Sequence, residues 1–85
     1  MNEFLDYLKY NKKYSNHTLV NYENDLLKLE LYLKENSLNI NDLQYKNIND
    51  FIVMLKDEGL NATSINRILS TCRTYFKFLE KKRDN

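Results

Sequence analysis

The shortage of helix-breaking residues is the strongest constraint on how this chain can fold. Its 85 residues include no proline and one glycine, Gly59. Proline and glycine are the residues that most often interrupt helices and build the turns between strands. The sequence therefore predicts an all-α fold with long helices and argues against a sheet-rich architecture.

Helix packing has to supply the stability of such a fold. A domain of this size is marginal, and many small domains depend on disulfides or metals. The chain has one cysteine, Cys72, and one histidine, His17, so neither an intrachain disulfide nor a structural zinc site can form. Seven tyrosines and four phenylalanines offer large side chains to the core instead. We expect no metal and no cofactor.

The location of the protein is predicted to be cytoplasmic, without a membrane partner. No apolar run approaches the roughly 20 residues that are needed to span a bilayer. The first six residues carry two acids and no base, whereas a signal peptide begins with basic residues. A single thiol also suits a reducing compartment.

Apolar residues spaced by three and four predict four helices. Their expected bounds are 3–12, 16–36, 46–58 and 62–82. Asn2, Ser15 and Asn61 are the predicted N-caps, and Gly59 stands where a helix commonly ends in a left-handed residue. Between the second and third helices we expect an extended loop that buries its apolar residues and includes one turn at Asn41-Asp42-Leu43, with a short strand as the alternative. The apolar residues of this loop are Leu38, Ile40 and Leu43.

The second and fourth predicted helices each have an apolar and a polar side. On the second helix the apolar residues are Leu19, Tyr22, Leu26, Leu29 and Leu33, widened by Val20, Leu27 and Leu31. Its predicted solvent side holds Asn21, Asn24, Asp25, Lys28 and Tyr32. On the fourth helix the apolar stripe is Ile65, Ile68, Leu69, Cys72, Tyr75, Phe76 and Leu79, which predicts a buried thiol. Phe78 falls off this stripe, so it is either exposed or in contact with another domain.

Basic charge is concentrated at the C-terminal end of the sequence. The formal net charge is only +1, which by itself says nothing about nucleic acid. Residues 1–60 hold seven Lys and Arg against ten Asp and Glu, whereas residues 61–85 hold six against two. The fourth helix and the residues after it are therefore the part of the chain best suited to an anionic partner.

The polar side of the fourth helix combines cations with hydroxyls and an amide. It consists of Thr63, Asn66, Arg67, Ser70, Arg73, Thr74, Lys77 and Lys81. Exposed helix faces usually mix charges of both signs, yet this one has no carboxylate before Glu80. Arg and Lys neutralise phosphates, and Ser, Thr and Asn bond phosphates or base edges. The face by itself suits a solvated polar surface, with surface ion pairs at Arg67 and Arg73, as well as it suits DNA binding, and both interpretations stay open.

The start of the second helix offers a second surface rich in hydrogen-bond donors. Its residues are Asn16, His17, Thr18 and Asn21, with Lys28 further along the helix. A helix N-terminus favours phosphate, so these residues are candidate DNA contacts. For His17 the alternative is simple exposure, and Thr18 either meets a phosphate or supports the helix cap. Asn66, on the fourth helix, either contacts DNA or bonds locally.

Four segments, in order and at the right spacings, resemble the core-binding domain of tyrosine recombinases, especially Xer-type recombinases and related phage integrases. The first two are Phe4-Leu5-Asp6-Tyr7-Leu8 and Ser15-x-x-Thr18-Leu19-x-x-Tyr22-x-x-Asp25-Leu26. The third is Asn47-Ile48-x-x-Phe51-Ile52-x-x-Leu55. The fourth is Ser64-Ile65-Asn66-Arg67-x-Leu69-Ser70-x-x-Arg73-x-x-Phe76-x-Phe78-Leu79. The resemblance covers nearly the whole chain.

This resemblance implies a small orthogonal bundle of four helices, called SAM-like, that forms one half of a clamp around duplex DNA. The second and fourth helices then approach the major groove. A separate catalytic domain of the same parent chain supplies the arginine–lysine–histidine–arginine cluster and the nucleophilic tyrosine. Neighbouring recombinase subunits are further expected partners, in a tetrameric synapse. Residues 1–85 are then one core-binding domain that positions DNA for a parent tyrosine recombinase.

The residues themselves give no support to an autonomous enzyme. No acid–base pair, nucleophile–base pair or metal cluster can be assembled from the sequence, so we expect no catalysis by this chain alone and no catalytic or metal-binding residue. The alternative function is a helical protein–protein interaction module. SAM-like bundles serve that role, and the acidic balance of residues 1–60 suits DNA less well.

Overall fold

The structure, a computed structural model, describes the backbone of residues 2–84 and the side chains of residues 2–82. Its four helices are α1 (Asn2–Tyr10), α2 (Asn16–Glu35), α3 (Tyr45–Asp57) and α4 (Ala62–Asp84). No strand occurs among the described residues, and one 3-10 turn spans Ile40–Asp42. The predicted all-α, four-helix architecture is confirmed, and every helix end lies within two residues of its predicted position.

Side-chain caps explain where the helices begin. The Ser15 hydroxyl accepts the backbone N–H of Thr18 at 3.3 Å, and Asn61 Oδ1 accepts that of Ser64 at 2.9 Å, so both predicted N-caps are confirmed. The predicted cap at Asn2 is wrong, because Asn2 is already part of α1. At the start of α3 the Gln44 backbone N–H donates to Oδ1 of the buried Asn47 at 2.9 Å, which satisfies that amide oxygen.

The loop between α2 and α3 takes the form of one turn rather than a strand. The 3-10 turn is opened by Asn39, whose side chain accepts the N–H of Asn41 at 3.4 Å. The three apolar residues of the loop are partly buried and pack against the core, as the sequence predicted. They are Leu38, Ile40 and Leu43.

Two connected groups of buried residues form the core. One lies between α2, α3 and α4 and contains Leu29, Tyr32, Phe51, Leu55, Ile65, Ile68 and Cys72. The other joins α1 to α2 and α4 and contains Phe4, Leu8, Leu26 and Tyr75. The apolar stripe predicted for α4 is confirmed, since all its members are buried or half-buried. Because α2 and α4 contribute to both groups, these two helices connect the two parts of the core.

The buried side of α2 differs from its prediction. Asp25 and Tyr32, predicted to face solvent, are 2% and 3% exposed. Val20, Leu27 and Leu31, predicted to widen the apolar side, are exposed instead. Tyr32 packs against Phe51 of α3, and Asp25 contacts α4. The buried side of α2 is therefore set by the positions of its partner helices and not by hydrophobicity alone.

Phe78 is half-buried and belongs to the contact between α1 and α4. Its ring centroid lies 5.3 Å from that of Phe4 and 5.2 Å from that of Tyr7. The side chain that falls off the main stripe of α4 thus holds α1 in place, and neither exposure nor another domain is needed to explain it.

Gly59 ends α3 in a conformation that other residues rarely adopt. Its φ is +90°, and the N–H of Leu60 bonds the Leu55 carbonyl at 3.2 Å, as in a Schellman stop. A Cβ added at Gly59 meets nothing within 4 Å, so a substitution is strained by backbone conformation and not by a clash.

We expect Gly59→Ala to lower the free energy of unfolding by about 1–2 kcal/mol, the cost of a left-handed backbone for an L-residue. The measurement is urea unfolding, with a lower midpoint and an unchanged slope. Gly59→Asn is the control, because asparagine tolerates this conformation better and should cost less. Equal stability of Gly59→Ala and the parent chain would contradict the left-handed backbone conformation of Gly59.

Candidate nucleic-acid interface

The polar face of α4, defined as Thr63, Asn66, Arg67, Ser70, Arg73, Thr74 and Lys77, is directed away from the core. All of its members are exposed except Thr74, which is half-buried. This orientation follows from the helix, because the stripe on the opposite side is fixed against α2 and α3. The three cations of the face recur at intervals of six and four residues along α4, within the second and later turns.

Helix α2 lies beside this face and runs in the opposite direction. Leu29 of α2 belongs to the same buried group as Ile65 and Ile68 of α4. Leu26, almost one turn earlier on α2, belongs to the other group, with Tyr75 further along α4. The start of α2 is therefore nearest the C-terminal half of the polar face. The predicted site residues Asn16, His17 and Asn21 of α2 are exposed, and Thr18 is half-buried.

Two of the predicted contact residues make local hydrogen bonds within their own helices. Thr18 belongs to the cap of α2, where its hydroxyl lies 3.0 Å from that of Ser15. The Thr74 hydroxyl donates to the Ser70 carbonyl at 3.1 Å. These bonds fix the side-chain rotamers, and they agree with the capping alternative for Thr18.

A buried carboxylate lies directly behind Arg67. Asp25 Oδ1 is 3.0 Å from the Arg67 Nη2, and the Thr71 hydroxyl donates to Asp25 Oδ2 at 2.9 Å. Along the sequence of α4 no carboxylate precedes Glu80, but in space α2 brings one to the face. The ion-pair alternative for Arg67 is thus realised on its inner side, while 57% of its side chain stays exposed.

Sequence reasoning missed both Asp25 and Thr71. Hydrophobic periodicity places an aspartate on the solvent side, and the partners of Asp25 lie 42 and 46 positions further along the sequence. The signal that was available is the position of Asp25 in the second of the four motifs, three residues after Tyr22. A motif position without an apolar or capping role is a reason to look for a partner elsewhere in the fold.

A groove between α1 and α4 continues the polar face beyond Lys77. Its cationic rim includes Lys12, Lys77 and Lys81, and its floor is aromatic, from Tyr7 and Phe78. Thr74 and Tyr14 line the same groove, which connects it to the start of α2. Lys82 also lines it, but it pairs with Glu3 of α1. Lys12 is the last residue of the first predicted helix (3–12) and was not among the predicted contact residues, so its place in this groove is a result of the tertiary fold.

Two tyrosines, Tyr22 of α2 and Tyr75 of α4, have raised pKa values. Burial raises the pKa of Tyr22, and the neighbouring Tyr14 raises it further. Burial likewise raises the pKa of Tyr75, with a smaller contribution from the charge of Glu30. A phenol acts as a nucleophile through its deprotonated form, so these environments oppose nucleophilic chemistry at Tyr22 and Tyr75.

Two kinds of feature are absent from the described part of the chain. Within it, no helix is both long and apolar enough to cross a membrane. No group of three or more His, Cys, Asp or Glu side chains among these residues is placed to hold a metal ion.

Comparison with known proteins identifies the family. The model of the phage integrase N-terminal SAM-like domain matches residues 1–83. The tyrosine recombinases XerC of Staphylococcus aureus (strain NCTC 8325 / PS 47), Staphylococcus haemolyticus (strain JCSC1435) and Staphylococcus carnosus (strain TM300) are each 32% identical over 75 residues, which is 88% of this chain. The chain spans 25% of the length of these relatives, and no solved structure matches it. The predicted resemblance is therefore confirmed, and the chain belongs to the family of phage integrase N-terminal SAM-like domains.

Proposed function

We propose that this domain binds duplex DNA through the polar face of α4 and the adjoining start of α2. The observation that carries the proposal is the exposed, cation-bearing side of α4, on which Arg67, Arg73 and Lys77 alternate with hydroxyl and amide side chains. Cations and hydrogen-bond donors in this mixture suit phosphates and base edges. On α4 the remaining contacts are Thr63, Asn66, Ser70 and Thr74, and on α2 they are Asn16, His17, Thr18 and Asn21.

The role that we assign to the domain is to position DNA. From the family of the chain we infer that residues 1–85 form the N-terminal half of the DNA clamp of a site-specific recombinase in the cytoplasm. Strand breakage and rejoining then fall to a separate catalytic domain of the parent chain, and neighbouring recombinase subunits are further partners.

The affinity of the domain alone is expected to be micromolar or weaker. Its net charge is only +1, and non-specific binding at physiological salt lies at roughly 10⁻⁴–10⁻⁶ M. Lys12 and Lys81 would extend the cationic surface along the groove next to α1. Binding should therefore be strongest at low salt.

The test is a salt titration of binding to a fluorescein-labelled duplex, followed by fluorescence anisotropy. We expect Arg67→Ala combined with Arg73→Ala to weaken binding by about tenfold or more at low salt. The slope of the logarithm of the binding constant against that of salt concentration should become shallower by about 0.9 for each phosphate that the variant no longer neutralises.

The matched control is Lys9→Ala combined with Lys34→Ala. Both lysines are exposed, Lys9 lies on α1, and Lys34 lies about 180° around α2 from Asp25. This variant removes the same charge from outside the proposed face, so it should bind nearly as well as the parent chain. An equal loss of affinity in both double variants would mean that the net charge of the domain determines binding, and this result would contradict the proposed DNA-binding face. Absence of salt-dependent binding in the parent chain would overturn DNA binding altogether.

A protein–protein interaction module remains the second candidate, and one observation favours it. Val20, Leu27 and Leu31 form an exposed apolar line on α2, where they are 52%, 51% and 47% exposed. Their spacing of seven and four residues places them on one side of the helix, well away from Asp25. A chain that binds no duplex would leave this line as the better candidate for a functional surface.

A further inference from the structure

The contact between Asp25 and Arg67 is unusual in its asymmetry. The side chain of Asp25 is 3% exposed, whereas that of Arg67 is 57% exposed. Both carboxylate oxygens of Asp25 are engaged by α4, one by Arg67 and the other by the Thr71 hydroxyl. A buried carboxylate with two such partners has little freedom to rotate. Arg67 is thus bonded to a fixed group on its inner side and open to solvent on its outer side.

The guanidinium chemistry makes this arrangement useful for binding. Arginine carries five N–H donors in one rigid plane, and in this structure the Nη2 group is directed at Asp25. The other donors lie in the same plane of the guanidinium, on a side chain that is 57% exposed. A free arginine loses rotamer freedom when it binds a phosphate, and an arginine that is already held loses less.

We propose that Asp25 is a positioning residue that orients the Arg67 guanidinium for contact with a DNA phosphate. This inference rests on the proposed DNA-binding function, and it adds a residue that does not touch the DNA. Asp25 acts from behind, through Arg67, while its bond to Thr71 ties α2 to α4. Asp25 therefore connects α2 and α4, the two helices that carry the proposed DNA contacts, and it also orients one of those contacts, Arg67.

A simple charge argument makes the opposite prediction. A carboxylate next to a phosphate-binding surface repels the DNA, so its neutralisation should tighten binding, most clearly at low salt. Positioning predicts that the neutralisation of Asp25 weakens binding although it removes a negative charge. The direction of the change therefore separates the two effects.

The experiment compares Asp25→Asn with the parent chain in binding to a fluorescein-labelled duplex. Asparagine keeps the size of the side chain and removes the charge. We expect Asp25→Asn to weaken binding by about three- to tenfold, the range expected when one ordered side chain becomes mobile. Glu58→Gln is the matched control, because it also neutralises a carboxylate in an ion pair, that with Lys28 at 3.6 Å. Glu58→Gln should leave binding unchanged or tighten it slightly.

A double-mutant cycle with Arg67→Ala tests whether Asp25 acts through Arg67. In the Arg67→Ala background, Asp25→Asn should cause no further loss. A loss of equal size in both backgrounds would show a general structural role and overturn the inference. Tighter or unchanged binding of Asp25→Asn in the parent background would overturn it as well. If Arg67→Ala and the parent chain bind duplex equally, the proposed contact at Arg67 fails first, and the inference fails with it.

Two further measurements keep the inference testable if Asp25→Asn folds poorly. Arg67→Lys retains the charge but loses the planar fork, so positioning predicts weaker binding, whereas charge attraction alone predicts an unchanged affinity. NMR of the Arg67 guanidinium in the DNA-free parent chain gives an independent readout. Restricted rotation of this group is expected, and rotation as free as that of an exposed arginine would contradict the inference.

Discussion

Phe4→Ala is expected to lower the free energy of unfolding by about 3–5 kcal/mol, as for other large-to-small changes in cores. Phe4 is fully buried, and its ring centroid lies 6.1 Å from that of Tyr22, 5.1 Å from that of Tyr75 and 5.3 Å from that of Phe78. The substitution removes one ring from contacts with α2 and α4 at once. Because domains are stable by only about 5–15 kcal/mol, a large part of the total is lost.

Urea unfolding followed by circular dichroism measures this change, and limited proteolysis shows whether α1 detaches first. Val20→Ala is the control, because Val20 is 52% exposed and its truncation should change stability by no more than about 0.5 kcal/mol. A loss below about 1 kcal/mol for Phe4→Ala would mean that α1 is not part of the cooperative unit. The groove between α1 and α4 would then not be a stable part of the surface, because α1 forms one of its sides.

The helices were predictable because their signals are local. The caps Ser15 and Asn61 act within a few residues of the helix start, and the apolar spacing and the shortage of helix-breaking residues are properties of each segment by itself. The stripe of α4 was equally predictable, because its apolar residues lie on a single side. The fourth helix therefore indicated the candidate DNA face before any tertiary contact was known.

The buried side of α2 was not predictable in the same way. This helix contacts α1, α3 and α4 on different sides, so hydrophobicity along its own sequence does not specify one buried face. Asp25 is buried because a hydroxyl and a guanidinium of α4 meet it there, and Leu27 is exposed because no described helix covers it. Such outcomes depend on contacts between residues that are distant in the sequence, and the periodicity of one helix carries no information about those contacts.

The same limit applies to the candidate site. The sequence indicated the exposed cations Arg67, Arg73 and Lys77, because each lies opposite the stripe of α4. It gave no indication that Lys12 lines a groove with Lys77, or that a carboxylate supports Arg67 from behind. The composition of one face is a local property, whereas the groups behind and beside that face depend on how the helices pack.

Cys72 is expected to react with iodoacetamide about a thousandfold more slowly in the folded chain than in the unfolded chain at pH 8. Burial, with a smaller contribution from the charge of Asp25, raises the pKa of the Cys72 thiol from its ordinary value of 9.0 to about 12. The thiolate is the reactive form, and three pKa units reduce its fraction by about a thousandfold at this pH. Alkylation in urea gives the unfolded reference rate, and comparable rates in both states would contradict the buried placement.

The same pKa shift makes the stability of the fold depend on pH in a defined window. Between pH 9 and about 12 the unfolded chain has released the thiol proton while the folded chain retains it. Stability is therefore fully present below pH 9 and falls as the pH rises, by up to about 1.4 kcal/mol per pH unit for one thiol. Cys72→Ala should remove this component, while the raised pKa values of Tyr22 and Tyr75 still lower stability above pH 10. Identical pH profiles of the parent chain and Cys72→Ala between pH 9 and 12 would contradict the shift, because the contributions of Tyr22 and Tyr75 are common to both chains.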